Sequence, residues 1–398
     1  MNSRPLCVML VAAEASGDIL GAGLAQALRR RLGPNGVRFV GVGGEKMGEQ
    51  GVVSPFDIRD LSILGLLEGL LAYPRVVARA NQAAALAARE KPDIAVLIDS
   101  WGFTLRVAQR LKRLDPNLPV VKYVGPQVWA SRPGRAWTLA KTVDHLLSIH
   151  SFDPPYFEKA GLKTTFVGNP ALARDFSQAD GARLRLELGI ASEAPVLLML
   201  PGSRPSEIKR VMPPFEDAVR LLKARRPDLQ VVIPAAASVA DAVRARVEAL
   251  PFAVHLVEGD ERRYAAMKAA TVALACSGTV TTELALAGCP MIVGYRLGAV
   301  TYALVLPLIR TPYATLFNIA AGEAVAPEFI QARCNGPDLA RALAERLDDP
   351  GLRDHQIAAQ NAALDRMGRG GPDPSERAAE VVIEILKAER RADQRNPG

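Results

Sequence analysis

Two short turns in the second half of the chain contain the residue types that bind phosphate. The sequence PGSR, residues 201–204, follows one short apolar run, and SGT, residues 277–279, follows another. Helix-forming sequence comes directly after both turns. The first amides of a helix are unpaired and lie at the positive end of its dipole, and Arg204 adds a planar cation with several donors. Together the turns predict a site for a nucleotide diphosphate, although either turn alone also fits an ordinary strand–helix connection.

Two further residues could complete such a site. Glu283 is expected in the first turn of the helix after SGT, which we predict to be capped by Thr279. Its carboxylate could accept hydrogen bonds from two neighbouring sugar hydroxyls. Asn318 lies where a loop enters a helix, so its amide could bind a base or a phosphate, or could cap the helix without any ligand.

Carboxylates at strand ends in the first half could take a proton from a substrate hydroxyl. Asp99 directly follows the apolar residues 94–98, and Glu14 and Asp18 follow the first predicted strand. In an open parallel sheet, ligands bind beyond the carboxyl ends of the strands. We rank the three as general bases in the order Asp99, Glu14, Asp18, with His150 as a weaker candidate. An aspartate at a strand end can instead cap the following helix.

The loop at residues 125–135, GPQVWASRPGR, is rich in side chains that recognise ligands. It contains Gln127, Trp129 and Arg132 between two prolines. Loops at strand ends commonly carry binding residues on a rigid scaffold. We therefore predict a rigid, polar-lined substrate-binding surface here.

The order of apolar runs and helical patterns predicts an α/β protein. Six short strands alternate with helices up to residue 167, and a second set begins at residue 196. We predict two Rossmann-like, doubly wound domains, at residues 1–170 and 171–368. Residues 369–398 are expected to form a helix and a loose tail, with this helix packing on the first domain or on a second copy of the chain.

The composition and the absence of certain motifs argue against several classes of function. The 398 residues are 49% hydrophobic and carry a net charge of +7, which favours anionic partners or a membrane surface. The basic residues are scattered, so we expect no nucleic-acid binding. There is neither a dinucleotide-binding glycine fingerprint nor a P-loop, and the four cysteines lack metal-binding spacing and are predicted to lie in the core. We expect no metal or cofactor, no secretory leader and no membrane span, hence a cytoplasmic protein.

One segment is unusually apolar for sequence outside a strand. Residues 61–77 read LSILGLLEGLLAYPRVV. They fit a buried pair of helices, or an apolar surface that faces a membrane or the acyl chains of a lipid. The sequence alone leaves both interpretations open.

The most specific signal is a set of motifs in a fixed order. They are AEASGD (13–18), GVGGEKM (41–47), YVGPQVWASRPGR (123–135), FVGNP (166–170), LPGSRPSEI (200–208), SGTVTTELALAGCPM (277–291) and LFNIAAGEAVAPE (316–328). In this order and spacing they resemble the lipid-A-disaccharide synthases, a family of GT-B glycosyltransferases.

The resemblance implies an inverting transfer that joins UDP-2,3-diacylglucosamine to 2,3-diacylglucosamine 1-phosphate, forms a β(1→6) disaccharide and releases UDP without a metal. The second domain would bind the nucleotide and the first, across a cleft, the lipid acceptor, with residues 61–77 near its acyl chains and peripheral contact with the inner membrane. Whether the chain forms a homodimer is left undecided by the sequence. The nucleotide-binding residues would be Arg204, Ser203, Ser277, Gly278, Thr279, Glu283 and Asn318.

One departure from the family bears on the chemistry. After the third strand the family often reads Asp-Ala-Pro-Asp-Phe-Asn, and the second Asp is a proposed catalytic base. This chain reads DSWGFT at residues 99–104, so Gly102 stands at that position. The identity of the base is therefore open. So are two alternative functions, another UDP-sugar enzyme of the same fold and a UDP-binding homologue without turnover.

Overall fold

The computed structural model describes residues 4–61 and 73–395, with side chains as far as residue 388. The chain divides into two compact units, Met1–Pro170 with Gly371–Gly398, and Ala171–Gly370. Each unit contains a six-stranded parallel sheet covered by helices.

The first unit is built on a sheet in the order β2-β1-β3-β4-β5-β6. Its strands are β1 (Leu6–Val11), β2 (Val37–Val42), β3 (Ile94–Ile98), β4 (Val120–Tyr123), β5 (His145–Ser148) and β6 (Lys163–Phe166). Its helices are α1 (Ala15–Leu32), α2 (Glu45–Glu49), α3 (Tyr73–Glu90), α4 (Trp101–Leu114), α5 (Arg135–Ala140) and α6 (Pro154–Glu158), with one 3-10 turn at Ile58–Leu61.

The strand order of this sheet reverses between β1 and β3. The chain runs from β1 to β2 on one side and then returns to place β3 on the other side of β1. Because helices cover both faces, the central strands are continuous apolar runs, and all five residues of β3 are buried. The crevice beyond the carboxyl ends of β1 and β3 is where a doubly wound sheet binds ligands.

The second unit repeats this design with a sheet in the order β12-β11-β10-β7-β8-β9. Its strands are β7 (Val196–Leu200), β8 (Gln230–Pro234), β9 (His255–Val257), β10 (Val272–Cys276), β11 (Met291–Tyr295) and β12 (Glu328–Ile330). Its helices are α7 (Gly181–Glu187), α8 (Pro205–Arg225), α9 (Ala240–Glu248), α10 (Asp260–Ala269), α11 (Thr279–Leu286), α12 (Ala299–Val305), α13 (Leu316–Ala321), α14 (Gly336–Asp348) and α15 (Pro350–Arg366). Short 3-10 turns occupy Pro170–Ala173, Ala237–Val239, Leu306–Leu308 and Gln331–Arg333. Here the order reverses between β7 and β10.

The last helix, α16 (Pro374–Arg395), belongs to the first unit. Its buried face includes Val382 and Leu386 and lies in one apolar cluster with Leu24 and Leu28 of α1. Glu376 forms ion pairs with Arg30 and Arg31 at the edge of this contact. The sequence left open whether this helix packs on the first domain or on a second copy of the chain. In the structure it packs on the first domain.

Several predictions from the sequence are confirmed and some are wrong. The two α/β sheets are confirmed, and all four cysteines are free and buried. Strand β12, which pairs with β11 at the sheet edge, was not predicted from the sequence. Three residues are too short a run to show a strand pattern. Helix α12 was not predicted, because six of its seven residues are apolar and the segment shows no alternation of apolar and polar faces; in the structure none of the seven is buried.

Two findings concern the membrane. Most of the apolar segment 61–77 lies outside the described residues, apart from residue 61 and residues 73–77. Among the helices that the structure describes, none combines the length and the apolar character needed to cross a bilayer.

Candidate functional site

A pocket with a volume of about 710 Å³ lies at the carboxyl ends of β7 and β10 in the second unit. It sits where the strand order of that sheet reverses. The predicted nucleotide-binding residues that line it are Ser203, Arg204, Ser277, Gly278, Thr279 and Glu283. The fold thus brings together two turns that are more than seventy residues apart in sequence.

The first turn is already occupied by a carboxylate. Glu207, in the first turn of α8, is buried, and its Oε2 accepts hydrogen bonds from the amides of Ser203 at 2.9 Å and Arg204 at 3.2 Å. Gly202 makes room for it, since its φ is +118° and a Cβ there would lie 2.4 Å from Glu207 Oε2. The prediction of free amides is therefore wrong for Ser203 and Arg204, because the capping carboxylate takes both, whereas no acceptor among the described residues bonds to the amides of Gly202 and Ser206. The Arg204 side chain remains 72% exposed and lines the pocket.

The second turn does offer free amides. Gly278 is the N-cap of α11 and Thr279 is its first residue, so the prediction that Thr279 caps the helix is wrong. Among the residues that the structure describes, no acceptor bonds to the amides of Gly278, Thr279 or Val280. These donors at the start of an eight-residue helix are suited to phosphate oxygens.

Glu283 lies in the wall of the pocket between two arginines. Its side chain is only 4% exposed, and Oε1 accepts a short hydrogen bond from the Arg174 guanidinium. Arg263 lies 3.6 Å away from Oε2. The Tyr264 ring stacks beneath both guanidinium groups. The carboxylate is held in a fixed orientation, because cations pair with it from two elements.

Asn318 does not line this pocket, so its predicted role in binding nucleotide needs correction. It is fully buried, and its Nδ2 donates to the carbonyl of Ala326 at 2.8 Å and to Glu328 Oε1 at 2.9 Å. Its Oδ1 accepts from the Ala326 amide. Both donors are used inside the protein, so Asn318 fixes the loop between α13 and β12.

A second pocket, with a volume of about 330 Å³, lies at the carboxyl ends of β1 and β3 in the first unit. Its lining consists of Glu14, Leu61, Tyr73, Val76, Ser100, Trp101, Gly102, Phe103 and Arg106. The Arg106 guanidinium stacks over the Tyr73 ring, and that of Arg135 stacks over the Trp101 ring. The pocket therefore joins apolar walls to one carboxylate and a cationic rim.

Two predicted bases meet beside this pocket. Partial burial raises the pKa of the Glu14 carboxyl, and the neighbouring Asp99 carboxylate raises it further. Two carboxylates at one site disfavour double ionisation, so one of them holds a proton more readily than usual. A carboxylate with a raised pKa is, once ionised, a stronger proton acceptor than a free carboxylate, as a general base requires.

Asp18, the third predicted base, needs correction. It is 5% exposed, and its carboxylate accepts three backbone hydrogen bonds, from Gly44 at 2.7 Å, Lys46 at 2.9 Å and Met47 at 3.0 Å. A Cβ at Gly44 would lie 2.7 Å from Asp18 Oδ2, which explains that glycine. Asp18 therefore caps α2 and does not line the pocket that the structure describes in this unit.

Some residues of the loop 125–135 are exposed, and others are buried in the core of the first unit. Gln127 and Arg132 are exposed, whereas Trp129 is 7% exposed and its indole N–H donates to Asp153 Oδ1 at 2.9 Å. Trp129 is therefore a support for the loop, contrary to its predicted role as a substrate contact. His150 packs against Trp129, and burial lowers the pKa of His150 to about 4, so the ring is neutral at physiological pH.

Sequence reasoning missed five charged residues of these pockets, one of which is Asp260 at the start of α10. Glu207 could have been found from its position three residues after the N-cap Arg204, the spacing of a capping carboxylate. Arg174 directly follows the short 3-10 turn at Pro170–Ala173, and Arg263 and Arg106 lie on helices with many exposed charges. No sequence signal separated these three arginines from the other basic residues.

Comparison with known proteins gives a consistent result. A family model described as lipid-A-disaccharide synthetase matches residues 8–380. The lipid-A-disaccharide synthase of Rhodospirillum centenum is 42% identical over 391 residues, covering 98% of this chain and 97% of its own. That of Paramagnetospirillum magneticum is 40% identical over 393 residues, covering 98% of this chain and 100% of its own.

A likeness to a solved structure concerns the fold. A putative UDP-N-acetylglucosamine 2-epimerase from Listeria monocytogenes matches with a TM-score of 0.61 and 16% identity, covering 98% of this chain and 97% of its own. The prediction of an α/β protein of two Rossmann-like units, of the GT-B type, is confirmed.

Proposed function

This chain belongs to the lipid-A-disaccharide synthetase family, and we propose that it condenses UDP-2,3-diacylglucosamine with 2,3-diacylglucosamine 1-phosphate, with inversion, to give the disaccharide 1-phosphate and UDP. The observation that carries the proposal is the second-unit pocket, in which a helix start and the exposed Arg204 side chain offer donors to an anion. Identity of 42% over nearly the whole chain favours this transfer over another UDP-sugar reaction.

We assign the donor to the second unit. The free amides of Gly278, Thr279 and Val280 would hold the diphosphate, and Arg204 would reach over it from the other turn. Charge develops on the leaving diphosphate during transfer, and preorganised donors of this kind stabilise it. Glu283, fixed by Arg174, would accept hydrogen bonds from the ribose hydroxyls.

We assign the acceptor to the first unit. Its sugar would lie against Trp101 in the pocket beside Glu14, and the exposed Gln127 and Arg132 would contact its polar groups. Arg132 has no acidic partner among the described residues, which leaves its charge available to the acceptor phosphate. Residues 61–77 remain our proposal for the acyl chains and for peripheral membrane contact.

The catalytic base would be the Glu14–Asp99 pair. Transfer forms a bond from the acceptor oxygen to the donor sugar carbon, breaks the bond from that carbon to the diphosphate, and requires the acceptor hydroxyl proton to go to a base. Glu14 lines the pocket, and its raised pKa matches that task. Glu14 must be ionised to accept this proton, and the neighbouring Asp99 carboxylate, which raises the pKa of Glu14, makes it a stronger proton acceptor.

The direct test is UDP release with both diacylated substrates. We expect turnover in the wild-type protein and a loss of about 100-fold or more in kcat for Glu14→Gln, with UDP affinity unchanged. Glu49→Gln, which removes an exposed acid paired with Lys46, is the matched control and should remain active. UDP binding without release of UDP from the donor would instead support a homologue without turnover.

A further inference from the structure

Lys122 is a cation in the core of the first unit. It lies on β4 and is only 3% exposed. Its neighbours in the sheet are Leu97 of β3 and Leu146 of β5. The other side chains around it are mainly apolar and come from α4, α5 and the segment after α5: Trp101, Leu105, Ala108, Leu139 and Val143.

The Lys122 ammonium contacts the backbone of a turn instead of a carboxylate. Nζ donates a short hydrogen bond to the carbonyl oxygen of Asp99 and another to Thr104 Oγ1 at 2.8 Å. Thr104 Oγ1 also lies 2.8 Å from the Asp99 carbonyl and 2.9 Å from that of Ser100. Among the residues that the structure describes, no acid forms an ion pair with Lys122. The side chains of Lys122 and Thr104 thus bind the carbonyl oxygens of the turn, Lys122 that of Asp99 and Thr104 those of Asp99 and Ser100.

This turn has an unfavourable backbone conformation. Asp99 has a φ of +49° and Ser100 a φ of +40°, both in the left-handed region that residues other than glycine rarely adopt. Such residues persist only when their surroundings hold them. Here the Asp99 amide donates to the Tyr123 carbonyl at 2.8 Å, and the side-chain contacts to the carbonyls of the turn come from Lys122 and Thr104.

Two costly features therefore meet at one place. A buried ammonium without an acidic partner lowers the stability of the folded state, and so does a pair of left-handed residues. Neither is needed to complete a parallel sheet. Burial lowers the pKa of Lys122 to about 7, while the charge of Asp99 opposes this decrease. Thr104 and Asp99 are the polar groups that face the ammonium, and Glu14, the N-cap of α1, lies beyond Asp99.

We propose that Lys122 is a positioning residue that clamps the Asp99–Ser100 turn in its left-handed form, and thereby sets the Asp99 carboxylate beside Glu14 and Trp101 at the wall of the acceptor pocket. The inference rests on the proposed function for its catalytic consequence. Its structural part, the clamp, does not depend on turnover.

The test uses the full-length protein with Lys122→Met, which keeps the length and apolar stem but removes the charge and both hydrogen bonds. We expect kcat to fall about 100-fold while UDP affinity stays unchanged, because small misplacements of a base have effects of this size. The urea midpoint should be unchanged or higher, since a hydrophobe replaces a buried charge. Amide hydrogen exchange at residues 99–104 should accelerate about tenfold.

Two further variants separate the clamp from simple packing. Lys122→Gln keeps a donor for the Asp99 carbonyl and should recover part of kcat relative to Lys122→Met. Lys112→Met removes a surface lysine of α4 that also binds two backbone carbonyls, and should leave kcat and the exchange at residues 99–104 unchanged.

The outcomes are distinct. Loss of activity together with loss of urea stability and of UDP affinity would show a general folding role and overturn the inference. So would wild-type kcat in Lys122→Met, or unchanged hydrogen exchange at the turn. If the wild-type protein itself releases no UDP, the proposed function fails, and the exchange measurement alone decides whether Lys122 clamps the turn.

Discussion

The Glu207 carboxylate lies 2.9 Å from the amide nitrogen of Ser203, in the turn where the first of two phosphate sites was expected. The protein's own carboxylate thus occupies one helix start, whereas the start of α11 is unoccupied by any acceptor among the described residues. A diphosphate would therefore depend on the second turn for amides and on the first turn for the guanidinium of Arg204.

Arg204→Ala is expected to weaken UDP binding about 10- to 100-fold, because the diphosphate charge loses its cationic partner. Calorimetric titration with UDP measures the effect. Arg183→Ala is the control, since Arg183 is an equally exposed arginine that pairs with Glu187 outside this pocket. Equal UDP affinity in Arg204→Ala and wild type would move the donor site away from these turns.

Gly202→Ala should lower the free energy of unfolding by about 1–3 kcal/mol, because the residue must keep a φ of +118° and its Cβ would collide with Glu207. Gly278→Ala is the matched control. A Cβ at Gly278 meets nothing within 4 Å, so we expect a change of less than about 0.5 kcal/mol. Urea unfolding of both variants checks the pair, and equal stability losses would contradict the assigned role of Glu207.

Gly102→Asp should restore a carboxylate to the acceptor pocket without disturbing the fold. A Cβ at Gly102 meets nothing within 4 Å, and an acid in the first turn of α4 gains about 0.5 kcal/mol from the helix dipole. In the Glu14→Gln background we expect the added Asp to raise kcat by about tenfold. Rates of UDP release report the rescue, and Gly102→Asn is the uncharged control. Equal rates for Asp and Asn would argue against a base at this position.

Asp153→Asn should remove a pH dependence of stability. Burial raises the pKa of Asp153 to about 6, although hydrogen bonds from Ser148 and Trp129 oppose the increase. A carboxyl whose folded pKa exceeds its unfolded value contributes stability that is full below about pH 4 and is lost as the pH rises through 6. As the pH rises from 4 to 7, the free energy of unfolding of the variant should therefore increase relative to that of the wild type, by at most about 3 kcal/mol.

Urea unfolding of both proteins at several pH values measures this difference. Groups that titrate identically in the two proteins cancel, so the difference isolates Asp153. If the free energy of unfolding of the variant instead rises relative to wild type as the pH falls, the folded protein stabilises the Asp153 carboxyl in its ionised form.

The sequence by itself determined the two α/β sheets and the two turns, residues 201–204 and 277–279, that line the second-unit pocket. Continuous apolar runs mark buried parallel strands whatever their partners, and a glycine–serine turn before a helix is a local feature. The pairing of residues 201–204 with 277–279 followed from the rule that ligands bind at strand ends. Glu14 and Asp99 were found on the same basis.

Only the tertiary structure decided what each polar side chain does. Asp18, Trp129 and Asn318 have the chemistry of site residues, but backbone groups and side chains brought close by folding use their hydrogen-bonding capacity. Conversely, Arg174 and Lys122 looked unremarkable in sequence. Their roles depend on Glu283 and on the Asp99 turn, which are distant along the chain and adjacent in space, and burial strengthens electrostatic contacts that would count for little in water.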